Sequence, residues 1–263
     1  MSDTFIPDLI ESIRAWRKWH LMGSQTVRQR YARSRLGQFW ISLSYLIMIV
    51  ALGIVYSNLW KTDLASFLPF LAASIAFWNF ISGCVNDGSG TFIASTAQIN
   101  AEYQPKGVFC LIVIWRQLVC FFHNFIVLVL ILLYSHASVS WTTLLLIPDF
   151  AVVIFTVYWL TMLLGMICAR FRDVPNIVQS TMQVMFFITP IMWTPQTLST
   201  ADMRFWLTEA NPFAAMLDLL RAPLLNQVPT LFQYGNVITC SLLGWGLTAF
   251  VFNRCRNKIV YWL

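Results

Sequence analysis

Six stretches of this chain, roughly 38–60, 66–86, 108–133, 144–168, 177–194 and 237–254, are apolar enough to enter a lipid bilayer, and that repetition limits the fold more than any other feature. A spanning helix needs about 20 mostly apolar residues, because nothing in the hydrocarbon satisfies a backbone N–H or C=O except the helix itself. The fifth stretch is short and contains Pro190. Polar, turn-forming residues separate the stretches: Lys61-Thr62-Asp63, Asn86-Asp87-Gly88, Ser138 to Ser140 and Arg170 to Pro175. Charged residues make up 11% of the 263, where a soluble domain averages about 25%. No polar segment is long enough to form a soluble domain. The expected fold is all-α integral membrane: one domain over 1–263, with six transmembrane helices in 38–254 and a short cytoplasmic tail, 255–263.

An even number of spans puts both termini on one side, and the positive charges choose it. Of the 17 Lys and Arg residues, Lys61, Arg204 and Arg221 fall on the opposite side and Arg116 falls within a span. The remainder lie with the termini, which are therefore expected in the cytoplasm. No cleavable signal peptide is expected, because the first apolar run begins only after a long basic segment.

Two polar stretches are more than loops. In the first 37 residues, Phe5, Leu9, Ile13, Trp16 and His20 recur at helical spacing, widened by Ile6 and Ile10, with Asp8, Glu11, Arg14 and Lys18 largely opposite. That pattern predicts an amphipathic interface helix beginning near Pro7, lying against the cytoplasmic leaflet. Residues 195–235 are too polar to span and too apolar for a free loop. Two short re-entrant helices, broken at Asn211-Pro212 between spans five and six, fit them best.

The third span carries Arg116, Gln117, His123 and Asn124 as one polar stripe, and Asp149 is the one acid placed within a span. Such groups face the bundle interior or a water-filled path. Helix–helix contacts are the favoured reading here, with a clasp between His123 and Asp149 on adjacent spans. The six cysteines are scattered in apolar surroundings and read as small buried hydrophobes, with no disulfide and no metal site expected. No GxxxxGK[ST], HExxH, GxSxG or paired-carboxylate arrangement occurs. The chain is expected to be no enzyme, to need no cofactor of its own and to bind no nucleic acid.

The segment Arg30-Tyr31-Ala32-Arg33-Ser34-Arg35-Leu36-Gly37-Gln38-Phe39-Trp40 resembles a signature of the membrane subunits of type-2 ABC exporters for bacterial surface polysaccharides, most closely the O-antigen exporters. Phe171-Arg172-Asp173, Thr189-Pro190-Ile191-Met192-Trp193 and Asn211-Pro212 follow in the family's order and spacing, so the resemblance covers essentially the whole chain. It implies a homodimer in the bacterial inner membrane, joined to two copies of a separate ATPase that holds ATP and Mg. It also implies export of a polysaccharide linked to undecaprenyl diphosphate. The resemblance places the lipid-diphosphate entrance at Leu36-Gly37, and guanidinium groups at Arg28, Arg30, Arg33 and Arg35, beside Tyr31, suit phosphate. Positive-inside charge and attraction to anionic lipid explain the same arginines. A coupling helix is implied in the loop 87–107, with Ile99, Glu102, Tyr103 and Lys106 as its candidate contacts. Trp40, Tyr45, Tyr56, Phe77 and Trp78 are candidates to line a polysaccharide path, though an interfacial aromatic belt explains Trp40 equally well. Capsular or teichoic-acid-type polymer is an alternative cargo. A secondary transporter is disfavoured because no paired inverted repeat is visible.

Overall fold

The computed structural model describes residues 4–32, 34–136, 140–195 and 200–263. Among them there are helices and turns but no strands. Five helices are long and apolar enough to cross a membrane: α3 (Phe39–Trp60), α4 (Leu64–Ser89), α7 (Gly107–Tyr134), α8 (Leu146–Arg170, extended to Trp141 by a 3-10 turn) and α12 (Leu231–Trp262). Between α4 and α7 lie two short helices, α5 (Thr91–Ala94) and α6 (Thr96–Ala101).

The fifth apolar stretch is not one continuous helix. It forms α9 (Val174–Ile188), 15 residues and so about 22 Å long. Pro175 occupies its first turn, where a missing N–H costs nothing. Its end is set by Pro190, which forces the preceding Thr189 into an extended conformation (ψ 139°). The last helix corrects the sequence boundary in the other direction. α12 runs 32 residues to Trp262, so residues 255–262 continue the helix and are not a separate tail. The loss of apolar character after Phe252 marks a change of solvent, and polar residues such as Arg254 and Lys258 remain good helix formers.

α4 is the centre of the bundle, buried on nearly every face from Phe67 to Cys84 and packed on α3, α7, α8 and α9. Asp63 caps its start by accepting from Ser66 N at 3.1 Å. Large exposed apolar side chains on α7 begin only at Phe122 and run to Tyr134; on α3 they run from Phe39 to Trp60. Together these exposed side chains form the lipid-facing belt.

The N-terminal segment forms two helices, α1 (Phe5–Arg14) and α2 (Trp16–Tyr31). α2 covers the first half of α7. Its Gly23 lets the backbones approach so closely that an added Cβ would lie 2.8 Å from Trp115 Cδ1, and Ser24 Oγ accepts from Trp115 Nε1 at 2.9 Å. α1 is amphipathic as expected, but its faces need correction. Ile6, Ile10, Ile13 and Trp16 are exposed, whereas Asp8 is buried with Phe5 and Ser12. Asp8 Oδ1 accepts from Lys106 N (2.8 Å) and Oδ2 from Gly107 N (2.9 Å). It caps α7 from a distant part of the chain, satisfying donors that a helix start leaves unpaired.

These contacts define one end of the bundle. Phe5 N donates to Asn253 Oδ1 (2.9 Å), and an Arg172 guanidinium donates to Leu263 O (3.0 Å). Both termini, the turn between α4 and α7 and the turn after α8 therefore share one end, which also carries most of the Lys and Arg.

Beyond the described 195 and 200, the chain makes a short helix α10 (Ala201–Arg204), a π-helical turn (Phe205–Glu209) and α11 (Pro212–Leu224). The break falls at Asn211-Pro212, where Asn211 Oδ1 accepts from Phe213 N (3.0 Å) and Ala214 N (3.4 Å). α11 packs on α4, α8 and α12.

Candidate functional site

The turn between α2 and α3 builds a cavity of about 600 Å³ lined by Arg28, Ser34, Arg35, Leu36, Gly37, Gln38, Phe39 and His123. Gly37 makes the turn possible: its φ of 55° is left-handed, and a Cβ there would meet no atom within 4 Å. Glycine is thus used for conformation here and not for space. The first turn of α3 is pinned to α7, since Ser42 Oγ donates to the His123 carbonyl at 2.8 Å. Arg28 and Arg35 are exposed, and none of the described lining residues is acidic. Ion pairs include Lys18–Glu102, Arg116–Asp87 and Arg221–Asp218, and neither cavity arginine has a carboxylate partner among the described residues. Of the remaining entrance candidates, Arg30 and Tyr31 close α2 just outside the lining, and Arg33 lies outside the described residues. The structure gathers Arg28, Arg35, Leu36 and Gly37 and adds His123, which the sequence had assigned elsewhere.

The polar stripe divides between two tasks. Arg116 donates to Asp87 Oδ2 at 2.6 Å, and Gln117 Nε2 donates to the same oxygen. Asp87 is not in a loop: α4 continues to Ser89 and holds it, half-exposed, against α7. Asn124 is buried, and its Oδ1 has no partner among the described residues. The expected clasp between His123 and Asp149 is not formed. Tyr234 on α12 donates to Asp149 at 2.9 and 3.1 Å, while His123 Nδ1 faces its own helix at Val119 O, 2.8 Å away. α7 and α8 are neighbours, but these two side chains leave them in different directions, towards α3 and α12.

The aromatic candidates also separate. Tyr45, Phe77 and Trp78 are buried inside this chain, Tyr45 with its hydroxyl donating to Ala72 O at 2.7 Å, so they correct the expectation that they face a path. Trp40 is exposed. Tyr56 lines a second, apolar cavity with Trp60, Phe186, Phe187 and Trp193 at the other end of α3.

In the segment between α4 and α7, Ile99 is buried and serves the core, which removes it from any outward contact. Tyr103 is exposed, and Glu102 is exposed but paired with Lys18 of α2 at 3.2 Å. Lys106 is half-buried, and burial pulls its ammonium below the usual lysine range. Burial likewise holds the Asp8 carboxyl above the usual range, with its two backbone bonds pulling the other way. The sequence missed a further cluster at the far end. Arg221 is 5% exposed, donates to Asp218, Ser74 Oγ (2.9 Å) and Pro190 O (2.6 Å), and lies 4.3 Å over the Phe70 ring. The i, i+3 spacing of Asp218 and Arg221 was the available signal.

Fold and cavity define a class: an all-helical, multi-pass membrane protein whose basic end carries an acid-free pocket beside the first span. The chain matches the family described as ABC-2 type transporter over residues 17–225. It belongs to that family, as a membrane permease component. Similar proteins include two O-antigen export system permease proteins RfbA from Klebsiella pneumoniae. One is 21% identical over 241 residues, covering 89% of this chain and 90% of the relative. The other is 21% identical over 240 residues with the same coverage. An O-antigen export system permease protein RfbA from Myxococcus xanthus is 24% identical over 200 residues, covering 74% of this chain and 75% of the relative.

Proposed function

We propose that this chain is the membrane-spanning subunit of an ATP-driven exporter that moves a lipid-linked, O-antigen-type polysaccharide across the bacterial inner membrane. The observation that carries the reading is the cavity at the basic end. Arg28 and Arg35 line it with no carboxylate partner among the described residues, beside the exposed apolar belt of α3, which suits a ligand with a diphosphate head and a hydrocarbon tail. The names of the relatives support the cargo class. In this reading the basic end is cytoplasmic, and two copies of the chain pair in the membrane. Two copies of an ATPase bind the cytoplasmic face and supply the ATP and Mg chemistry. The sixth crossing is made by α9 together with residues 189–195. α9 starts beside the α8 turn at the basic end, and Phe187 and Trp193 reach Trp60 at the far end of α3. The segment around α6, with Tyr103 and Glu102 outward, is the ATPase contact.

Co-purification tests this assembly. A tagged copy of the chain extracted from the native membrane is expected to bring down a second, differently tagged copy and an ATPase with a phosphate-binding loop. Cross-linking from position 102 or 103 is expected to reach that ATPase. A stable preparation in which the chain is always single and ATPase-free would contradict the reading.

A further inference from the structure

We infer that His123 is a direct binding residue of the entrance cavity, donating from Nε2 to an anionic phosphate ester held between Arg28 and Arg35. The inference rests on the entrance reading above and adds a group from the third span to it.

Three observations carry it. First, His123 lines the cavity together with both arginines and the Gly37 turn, although it lies on a different helix from all of them. Second, its ring is oriented. Nδ1 faces the Val119 carbonyl at 2.8 Å, and a carbonyl only accepts, so Nδ1 carries a proton. Nε2 is then the nitrogen left for a ligand. It accepts from a ligand when the ring is neutral and donates to one when the ring is an imidazolium. Third, the residue is a fixed point of the site. Its carbonyl holds Ser42 at 2.8 Å, five residues beyond Gly37, so ring and turn keep one geometry.

The surrounding charge agrees. From α2 and the turn come Arg28, Arg30 and Arg35, and from α7 itself come Arg116 and Cys120. From α4 the acid in this neighbourhood is Asp87, which Arg116 and Gln117 already hold. Nothing else described on these elements opposes an anion at the cavity. The two arginines grip opposite oxygens from the rim, and an imidazolium on the bundle side reaches a third. Three donor groups around one pocket suit a diphosphate better than a single phosphodiester.

Full-length chain in nanodiscs provides the test, with three probes: a long-chain prenyl diphosphate, inorganic pyrophosphate, and phosphatidylglycerol as a competing phosphodiester. The wild-type chain is expected to bind the prenyl diphosphate with little competition from phosphatidylglycerol. H123L is expected to weaken binding on the order of tenfold or more, the effect of one charge-assisted hydrogen bond. H123Q, whose amide N–H reaches about as far as Nε2, is expected to recover much of the loss. Should H123L fold poorly, the side-chain 15N signal absent from H123Q is followed in the wild-type chain, and it is expected to move on adding either diphosphate. Response to pyrophosphate as well as the prenyl ester would assign recognition to the head alone; response to the prenyl ester only would show that the tail is required, with His123 still at the head. An unmoved signal with normal binding, or H123L equal to wild type while Arg35→Gln loses binding, would overturn the role of His123. Equal binding of phosphatidylglycerol would overturn diphosphate selectivity. Absence of binding by the wild-type chain would instead remove the entrance reading, and this inference with it.

Discussion

Asp149 and Tyr234 show how a buried acid is managed at the level of single residues. Asp149 is 2% exposed, and a lone phenol hydroxyl on α12 reaches both of its oxygens. Removing that donor orphans a buried carboxyl group, at a cost of about 1–3 kcal/mol. Tyr234→Phe is therefore expected to lower the apparent melting temperature of the purified protein. In double-mutant cycles, Tyr234→Phe and Asp149→Asn are expected to be strongly non-additive, whereas His123→Ala and Asp149→Asn add. Coupling in the second pair would restore the clasp that spacing alone suggested. Sequence could place both residues on adjacent helices, but helix rotation decides which neighbour a side chain meets.

Among the elements, α1 and α9 carry the sharpest consequences. Asp8 ties α1 to the first turn of α7, so Asp8→Ala is expected to cost about 1–2 kcal/mol through two unsatisfied N–H groups. Asp8→Asn keeps one acceptor and is expected to cost less. Burial raises the carboxyl pKa in the folded state, so the folded form binds the proton more tightly. The stabilisation of wild type is then fully present at low pH and is lost as pH rises through the raised pKa. The melting temperature of wild type relative to Asp8→Asn is expected to be highest near pH 4 and to fall towards pH 7. A rise over that range would mean that the capping bonds outweigh desolvation. α9 is tested by single cysteines at the exposed positions Asp173 and Asp202, in a background with the native cysteines replaced. A membrane-impermeant thiol reagent is expected to label them from opposite sides; labelling from one side would leave five crossings.

The long spans were legible because desolvated backbone demands uninterrupted apolar helix, and α3, α4, α7 and α8 end within a few residues of their hydropathy limits. α12 was underestimated because hydropathy reports the solvent and not the helix. α9 was overestimated because an apolar run continues through Pro190, where the backbone cannot. The Gly37 turn was legible through the family resemblance of the segment from Arg30 to Trp40, but the contribution of His123 was not, because it comes from packing α7 against α2 and α3.

Across the whole molecule, the N-terminal helices link the basic end into one body. α1 holds the start of α7 through Asp8, α2 holds α7 through Ser24 and the α6 segment through the exposed Lys18–Glu102 pair, and α2 then leads into the entrance turn. The exposed pair contributes little by itself; the cap and the packing at Gly23 carry the connection. Reconstitution tests the proposed ATP-driven export directly. Vesicles containing this chain and the proposed partner ATPase, with a prenyl-diphosphate-linked polysaccharide on the ATPase side, are expected to move the polymer to the other side only when ATP is hydrolysed. The Arg28→Gln/Arg35→Gln variant is expected to assemble but to stall. Transfer by the chain without the ATPase, driven by an ion gradient, or undiminished transfer by the double variant, would contradict the account.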